Sequence, residues 1–287
     1  MSRPTSNVFL SLFDPHLGAE EERKRREADI EEKRQHLLVR WGKHPWSWLS
    51  GIDTTTRTED FPYGVPVVWT KDEGKKGHEA IQPFPAHRRH LRYFIELIHN
   101  EPKVLVDKPR QMTISWTTCL YIDWDCAFSD VRRWLLSKTR EEDAHEMLRD
   151  KPRFVAQHIA ETSPWITKRM PRSEKPAGRI DYPESGSYFL GVPMNVADRS
   201  ARGGTASGVF IDEAARQAYL KQIIDAIEPM ATRIIAVTTA ELGNPGADFF
   251  KLLLEEGGGA QGSAIHDFEV ATAVGGPEGA GKYVRVP

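Results

Sequence analysis

From Lys103 onward short apolar runs alternate with helical stretches. KVLVD (Lys103–Asp107) leads to Ser115–Phe128, and RRWLLSK (Arg132–Lys138) to Glu141–Glu161. GVFID (Gly208–Asp212) leads to Tyr219–Met230, and RIIAVTT (Arg233–Thr239) to Ala247–Glu256. Runs this short and this apolar read as strands buried on both faces, and strands that alternate with helices require parallel crossover connections. The expected architecture is α/β, a parallel central sheet flanked by helices. GRIDY and SYFLGV, with no helix between them, suggest one antiparallel hairpin. No internal repeat is visible.

Upstream, HRRHLRYFIELIHN places Leu91, Phe94, Ile95 and Ile98 on one helical face. Glu20 to Arg40 is a dense mixture of Glu, Lys and Arg with opposite charges three or four apart, which supports an exposed helix. It reads as a solvated helix docked by a thin apolar stripe, or as a partner-binding arm. Trp41 to Tyr63 is rich in Trp, Pro, Gly and Thr and reads as irregular, its tryptophans as core or interdomain packing. VPVVWT reads as a short strand. Three parts are expected: an N-terminal helical extension over 1–80, a core over 81–257, and a glycine-rich linker, or the start of a further domain, over 258–287.

Composition narrows the class. The 287 residues carry a formal net charge of -2, so a nucleic-acid partner would need a local basic face rather than a basic average. No apolar run approaches the roughly 18–20 residues that span a bilayer, and the charged N-terminus lacks the pattern of a secretory signal. No membrane association is expected. Cys119 and Cys126 lie on one expected helix about two turns apart, too far for a disulfide, which suits a reducing cytosolic setting.

Three segments carry chemistry. In KVLVDKPRQMTISW a strand turns into a helix, where backbone N–H groups and the helix N-terminus can hold phosphate. The usual phosphate-loop pattern is broken: Ile114 stands where lysine belongs and Thr113 where the last glycine belongs, with Lys108 and Arg110 just upstream. Taken alone, the segment also reads as an ordinary strand–helix turn. GVFIDE ends an apolar strand in adjacent acids, which reads either as a chance strand end or as Asp212 to hold Mg²⁺ and Glu213 to activate water. RIIAVTTA ends a buried strand in hydroxyl residues, Thr238 and Thr239, which read equally as a simple strand terminus or as groups that register the state of a phosphate.

In that order and spacing the three segments resemble the ATPase domain of the large terminase subunit, the DNA-packaging motor of tailed bacteriophages. KPRQMTISW resembles that family's deviant Walker A element with a displaced lysine. RGGTASGVFIDEAA resembles the segment entering its Walker B strand, TTA its coupling motif, and SKTREEDAHEML the stretch after its second strand. The resemblance covers about Phe84 to Glu256. It implies a P-loop NTPase of the ASCE (catalytic glutamate) type.

Carried over by position, the resemblance implies that Lys108, Pro109, Arg110, Gln111, Met112, Thr113, Ile114, Ser115 and Trp116 bind the cofactor ATP. Ser115 and Asp212 would hold Mg²⁺, and Glu213, Arg110 and Arg202 would be catalytic. Arg202 would be an arginine finger given to the neighbouring subunit, with Arg199 as its rival. Thr238, Thr239 and Ala240 would couple hydrolysis to movement, and residues near Phe84 to Arg89 would line the adenine end.

The partners it implies are double-stranded DNA, the portal protein, the small terminase subunit, and further copies of the chain in a ring on the portal, with a monomer in isolation. The location it implies is the host cell cytoplasm and, transiently, the procapsid portal vertex. Nothing after Glu256 is long enough for the family's nuclease domain, so no DNA cleavage by this chain is expected. Two other readings are a helicase-like translocase, for which a second lobe is wanting, and a degenerate nucleotide-binding or structural module, prompted by Thr113 and Ile114. If position 113 needs positive φ, threonine there costs on the order of 1 kcal/mol.

Overall fold

A computed structural model describes residues 15–72, 75, 77–108, 113–175, 178–193, 205–217, 219–239, 246–247, 265–269 and 280–285. Along the chain come α1 (Pro15–Gly42), α2 (Pro45–Leu49), β1 (Ile52–Asp53), β2 (Val65–Pro66), β3 (Trp69–Lys71), β4 (Ile81–Pro83) and α3 (Arg89–Asn100). The core follows with β5 (Lys103–Asp107), α4 (Ile114–Phe128), β6 (Arg133–Lys138), α5 (Glu141–Leu148), α6 (Phe154–Thr162) and α7 (Pro164–Arg169). Then come β7 (Ser173–Lys175), β8 (Arg179–Tyr182), β9 (Ser187–Pro193), β10 (Gly208–Asp212), α8 (Leu220–Ile227), β11 (Ile234–Thr238), β12 (Ile265–Glu269) and β13 (Ala280–Arg285).

One nine-stranded sheet runs β12-β13-β5-β11-β10-β6-β9-β8-β7. Its middle, β5-β11-β10-β6-β9, is parallel, as the strand–helix alternation requires. GRIDY and SYFLGV form the expected hairpin, β8 with β9. At the other edge β12 and β13 pair antiparallel, and β13 continues the sheet beside β5.

Strand residues alternate between two cores. Val104, Val106, Trp134, Leu136, Phe210, Ile235 and Val237 face the layer of α3, α4 and α6. Leu105, Leu135, Val209, Ile211, Ile234 and Ala236 face α8. This is the period-two pleat of a sheet buried on both faces. Gly208 opens β10 because the Trp134 ring lies 2.4 Å from where its Cβ would be.

The N-terminal segment is packed onto this core. Helix α1 is mostly exposed and laced with pairs such as Lys24–Glu20 at 2.9 Å, each worth about 0.3–0.5 kcal/mol. It docks through Leu37, Leu38 and Trp41. Trp41 is buried, stacks on Trp165 and accepts a bond from Trp124 Nε1 at its carbonyl. Trp48 is buried and Trp46 partly so.

The stretch expected to be irregular, Trp41–Tyr63, therefore holds α2 and β1, ordered by this aromatic packing. Asp53 anchors it, accepting bonds from Ser163 Oγ at 2.8 Å and Trp165 Nε1 at 2.7 Å. VPVVWT is split into β2 and β3. The expected helix Glu141–Glu161 is continuous but passes through a π turn, Arg149–Arg153, where Pro152 cannot join an α-helical ladder. Among the described residues no helix is long and apolar enough to cross a membrane.

Candidate nucleotide site at the carboxyl edge of the sheet

Strand β11 lies between β5 and β10, so the strand ending in TT separates the strand of the candidate phosphate loop from the strand ending in DE. All three end at the same edge, where parallel α/β sheets place their ligands. The pleat sorts the side chains there. Phe210 faces α4, so Asp212, two residues on, faces α4 as well. In β6, Leu136 and then Lys138 share that face, and Phe210 pairs with Leu136 across the ladder.

The result is a three-residue constellation. Ser115, in the first turn of α4, donates from Oγ to Asp212 Oδ1 at 2.9 Å. Lys138 donates from Nζ to Asp212 Oδ2 at 3.0 Å, with little of either side chain exposed. Burial works against the Lys138 charge, but Asp212 beside it, with Glu213 and Asp143 further off, raises its pKa above the ordinary lysine value. Lys138 was not among the residues expected from the sequence. It closes the strand RWLLSK, where a lysine reads as a solvated end, and only the β6–β10 register reveals its partner.

Glu213 is half exposed, with Arg216 Nη1 at 3.5 Å from its carboxylate. Its backbone lies in the left-handed region at φ 55°, ψ 42°. Thr113 lies there too, at φ 63°, ψ 9°. With Val131 they are the positive-φ non-glycine residues among those described. Two strained residues flanking one edge are the pattern expected of a working site. The position that usually carries glycine does require the glycine conformation, and threonine occupies it. Arg88 Nη1 donates to Thr113 Oγ1 at 3.1 Å, and the Thr113 carbonyl accepts from both the N–H and the hydroxyl of Thr117.

Thr238 faces the opposite layer, as its register predicts. Its Oγ1 accepts from the Ala215 N–H at 3.2 Å, and its carbonyl accepts from the Lys108 N–H at 3.1 Å. Lys108 Nζ reaches Thr239 Oγ1 at 3.4 Å. The end of β11 thus touches both Lys108, just after β5, and the segment after β10.

Of the expected site, Lys108, Thr113, Ser115, Asp212, Glu213, Thr238 and Thr239 come together at this edge. Ile114 and Trp116 are core side chains, 0% and 6% exposed, and can offer a ligand only their backbone. Phe84 is also buried and packs against Trp46. Pro109, Arg110, Gln111, Met112, Arg199, Arg202 and Ala240 lie outside the described residues. So does all of the expected helix Ala247–Glu256 beyond its first residue.

Among the described residues no three His, Cys, Asp or Glu side chains cluster as a protein-only metal cage. The Ser115 hydroxyl and Asp212 carboxylate are instead a small pair of adjacent hard oxygen donors. That set fits Mg²⁺, which keeps waters and substrate phosphates in its shell.

No protein-family model matches the chain, and no curated protein does. Among solved structures, the chain is similar to phage large terminases at low identity. The HK97 bacteriophage large terminase aligns with a TM-score of 0.47 and 8% identity, over 75% of this chain and 41% of that one. The large terminase of a thermophilic bacteriophage aligns at 0.41 and 12%, over 58% and 41%. The ATPase domain of a Thermus phage large terminase aligns at 0.36 and 14%, over 69% and 74%. The chain thus matches less than half the length of the first two.

Proposed function

We propose that this chain is a magnesium-dependent ATPase, the engine domain of a viral DNA-packaging terminase. The observation that carries the ATPase reading is the Ser115–Asp212 hydrogen bond. It joins the first turn after the phosphate-loop strand to the acid ending β10, with Glu213 next in sequence and half open to solvent. Ser115 and Asp212 would hold Mg²⁺, which when bound neutralises phosphate charge. Glu213 orients the attacking water and takes its proton. Lys108, Arg110 and Gln111 bind phosphates together with the backbone of the loop, Pro109 to Trp116. Thr238, Thr239 and Ala240 transmit the state of the site, supported by the contacts of Thr238 with Ala215 and Lys108.

The packaging role rests on the motif resemblance. It assigns translocation of double-stranded DNA into a procapsid, a ring of subunits on the portal, work alongside a small terminase subunit, and Arg202 (or Arg199) completing a neighbour's site. Such a finger contributes about 10³–10⁵ in rate. ATP turnover per subunit, measured across a protein concentration series, tests this reading. It should rise with concentration and be lost in Arg202→Ala. Turnover independent of concentration and of Arg202 would remove the shared-site claim.

A second reading, a nucleotide-binding module without turnover, is favoured by Ile114 and by the strained Thr113. ATP binding without hydrolysis, even with portal protein and DNA supplied, would establish it.

A further inference from the structure

We infer that Lys138 is a second phosphate-binding lysine of this site, beside Lys108, parked on Asp212 until a divalent cation takes that carboxylate. The inference deepens the ATPase reading and rests on it. Ile114, where a phosphate loop ordinarily carries its lysine, is fully buried in the core and offers no charge. Lys138 comes from a different strand and reaches the same acid that the loop serine reaches. Its ammonium occupies Asp212 Oδ2 while Ser115 occupies Oδ1.

A divalent cation entering with nucleotide needs that carboxylate and repels the ammonium beside it. Lysine is suited to yielding: a point charge on a flexible four-carbon stem can leave one oxygen and follow the incoming phosphates. Neither charge is then left unpaired, since the cation replaces Lys138 at Asp212 and the triphosphate receives Lys138. The ion pair lies at the carboxyl edge, on the face shared by Ser115 and Asp212.

Mn²⁺ binding without nucleotide, followed by electron paramagnetic resonance, and ATP binding with Mg²⁺, followed by calorimetry, separate the two roles in wild type and Lys138→Met. Removing the competing ammonium should tighten Mn²⁺ about tenfold, and losing one charge-assisted phosphate contact should weaken ATP about tenfold. A merely structural defect would not tighten metal binding.

The wild-type protein gives a second test that no folding failure can spoil. Acylation of Lys138, mapped by mass spectrometry, should rise when Mn²⁺ is added and fall again when ATP follows. If Mn²⁺ and ATP bind wild type but Lys138→Met changes neither affinity, or changes only one, the inference is wrong and the ATPase reading survives. If wild type binds neither, both fall.

Discussion

Arg88 and Thr113 are joined by a 3.1 Å hydrogen bond, from the residue preceding α3 to the residue preceding α4. The bond restrains a threonine whose backbone is in a conformation that glycine adopts at little cost. The residue at the entry to α4 is tied to a guanidinium.

This makes the order of two substitutions unusual. Thr113→Ala keeps the left-handed strain and loses the Arg88 bond, and should destabilise the protein by about 1 kcal/mol. Thr113→Gly loses the same bond but relieves the strain, so it should be more stable than the alanine variant by about 1 kcal/mol. Denaturant midpoints compare them. Equal stability, or alanine above glycine, would mean that position 113 is not strained.

Glu213 shares the positive φ, and the same logic sets stability against function. Glu213→Gly should raise stability by up to about 1 kcal/mol relative to Glu213→Ala. Neither should hydrolyse ATP. Thermal melts of the two variants check the first expectation.

The pair Arg172–Asp123 is a different kind of polar group, buried in the core. Arg172 grips Asp123 in two bonds of 2.9 and 2.7 Å, and Tyr182 donates to the same carboxylate at 2.7 Å, all in the core. Arg172→Met strands a buried carboxylate and should cost about 3–5 kcal/mol. Replacing both partners with apolar residues should recover much of that loss. A double variant as unstable as the single would contradict this view of the pair.

Stability should also fall in mild acid. Burial holds the pKa of His99 below the ordinary histidine value of 6.5, with His44 and Arg233 adding to the shift. Burial does the same for His158. The unfolded chain therefore binds more protons just below pH 6.5, so this contribution is complete above that pH and is lost as pH falls through each lowered pKa. Melting temperatures between pH 8 and pH 5, on the order of a three-unit span, should drop on the acid side. The drop should be smaller in His99→Phe.

Much of this was open to sequence reasoning, for identifiable reasons. β5, β6, β10 and β11 are buried on both faces and show as apolar runs, and α3 shows as an amphipathic face. Ser115, Asp212 and Glu213 stand at strand–helix junctions, where their types are informative. What was hidden depends on contacts distant in sequence. Lys138 finds Asp212 only through strand register, and Arg88 finds Thr113 only when α3 packs beside α4. The Trp41–Tyr63 segment has no periodicity because its order comes from Trp41, Trp48 and Asp53 meeting α4 and α7. Pro152 lies inside a helical pattern whose local periodicity does not reveal a π turn.

The central claim is that the edge built by Ser115, Asp212 and Glu213 hydrolyses ATP. The most direct measurement is steady-state phosphate release by wild type and Glu213→Gln at saturating Mg²⁺ and ATP, with nucleotide binding followed in parallel. Glu213→Gln should bind ATP as wild type does and lose at least about 10²-fold in turnover, the scale of a missing general base. Turnover by Glu213→Gln equal to that of wild type would contradict the account.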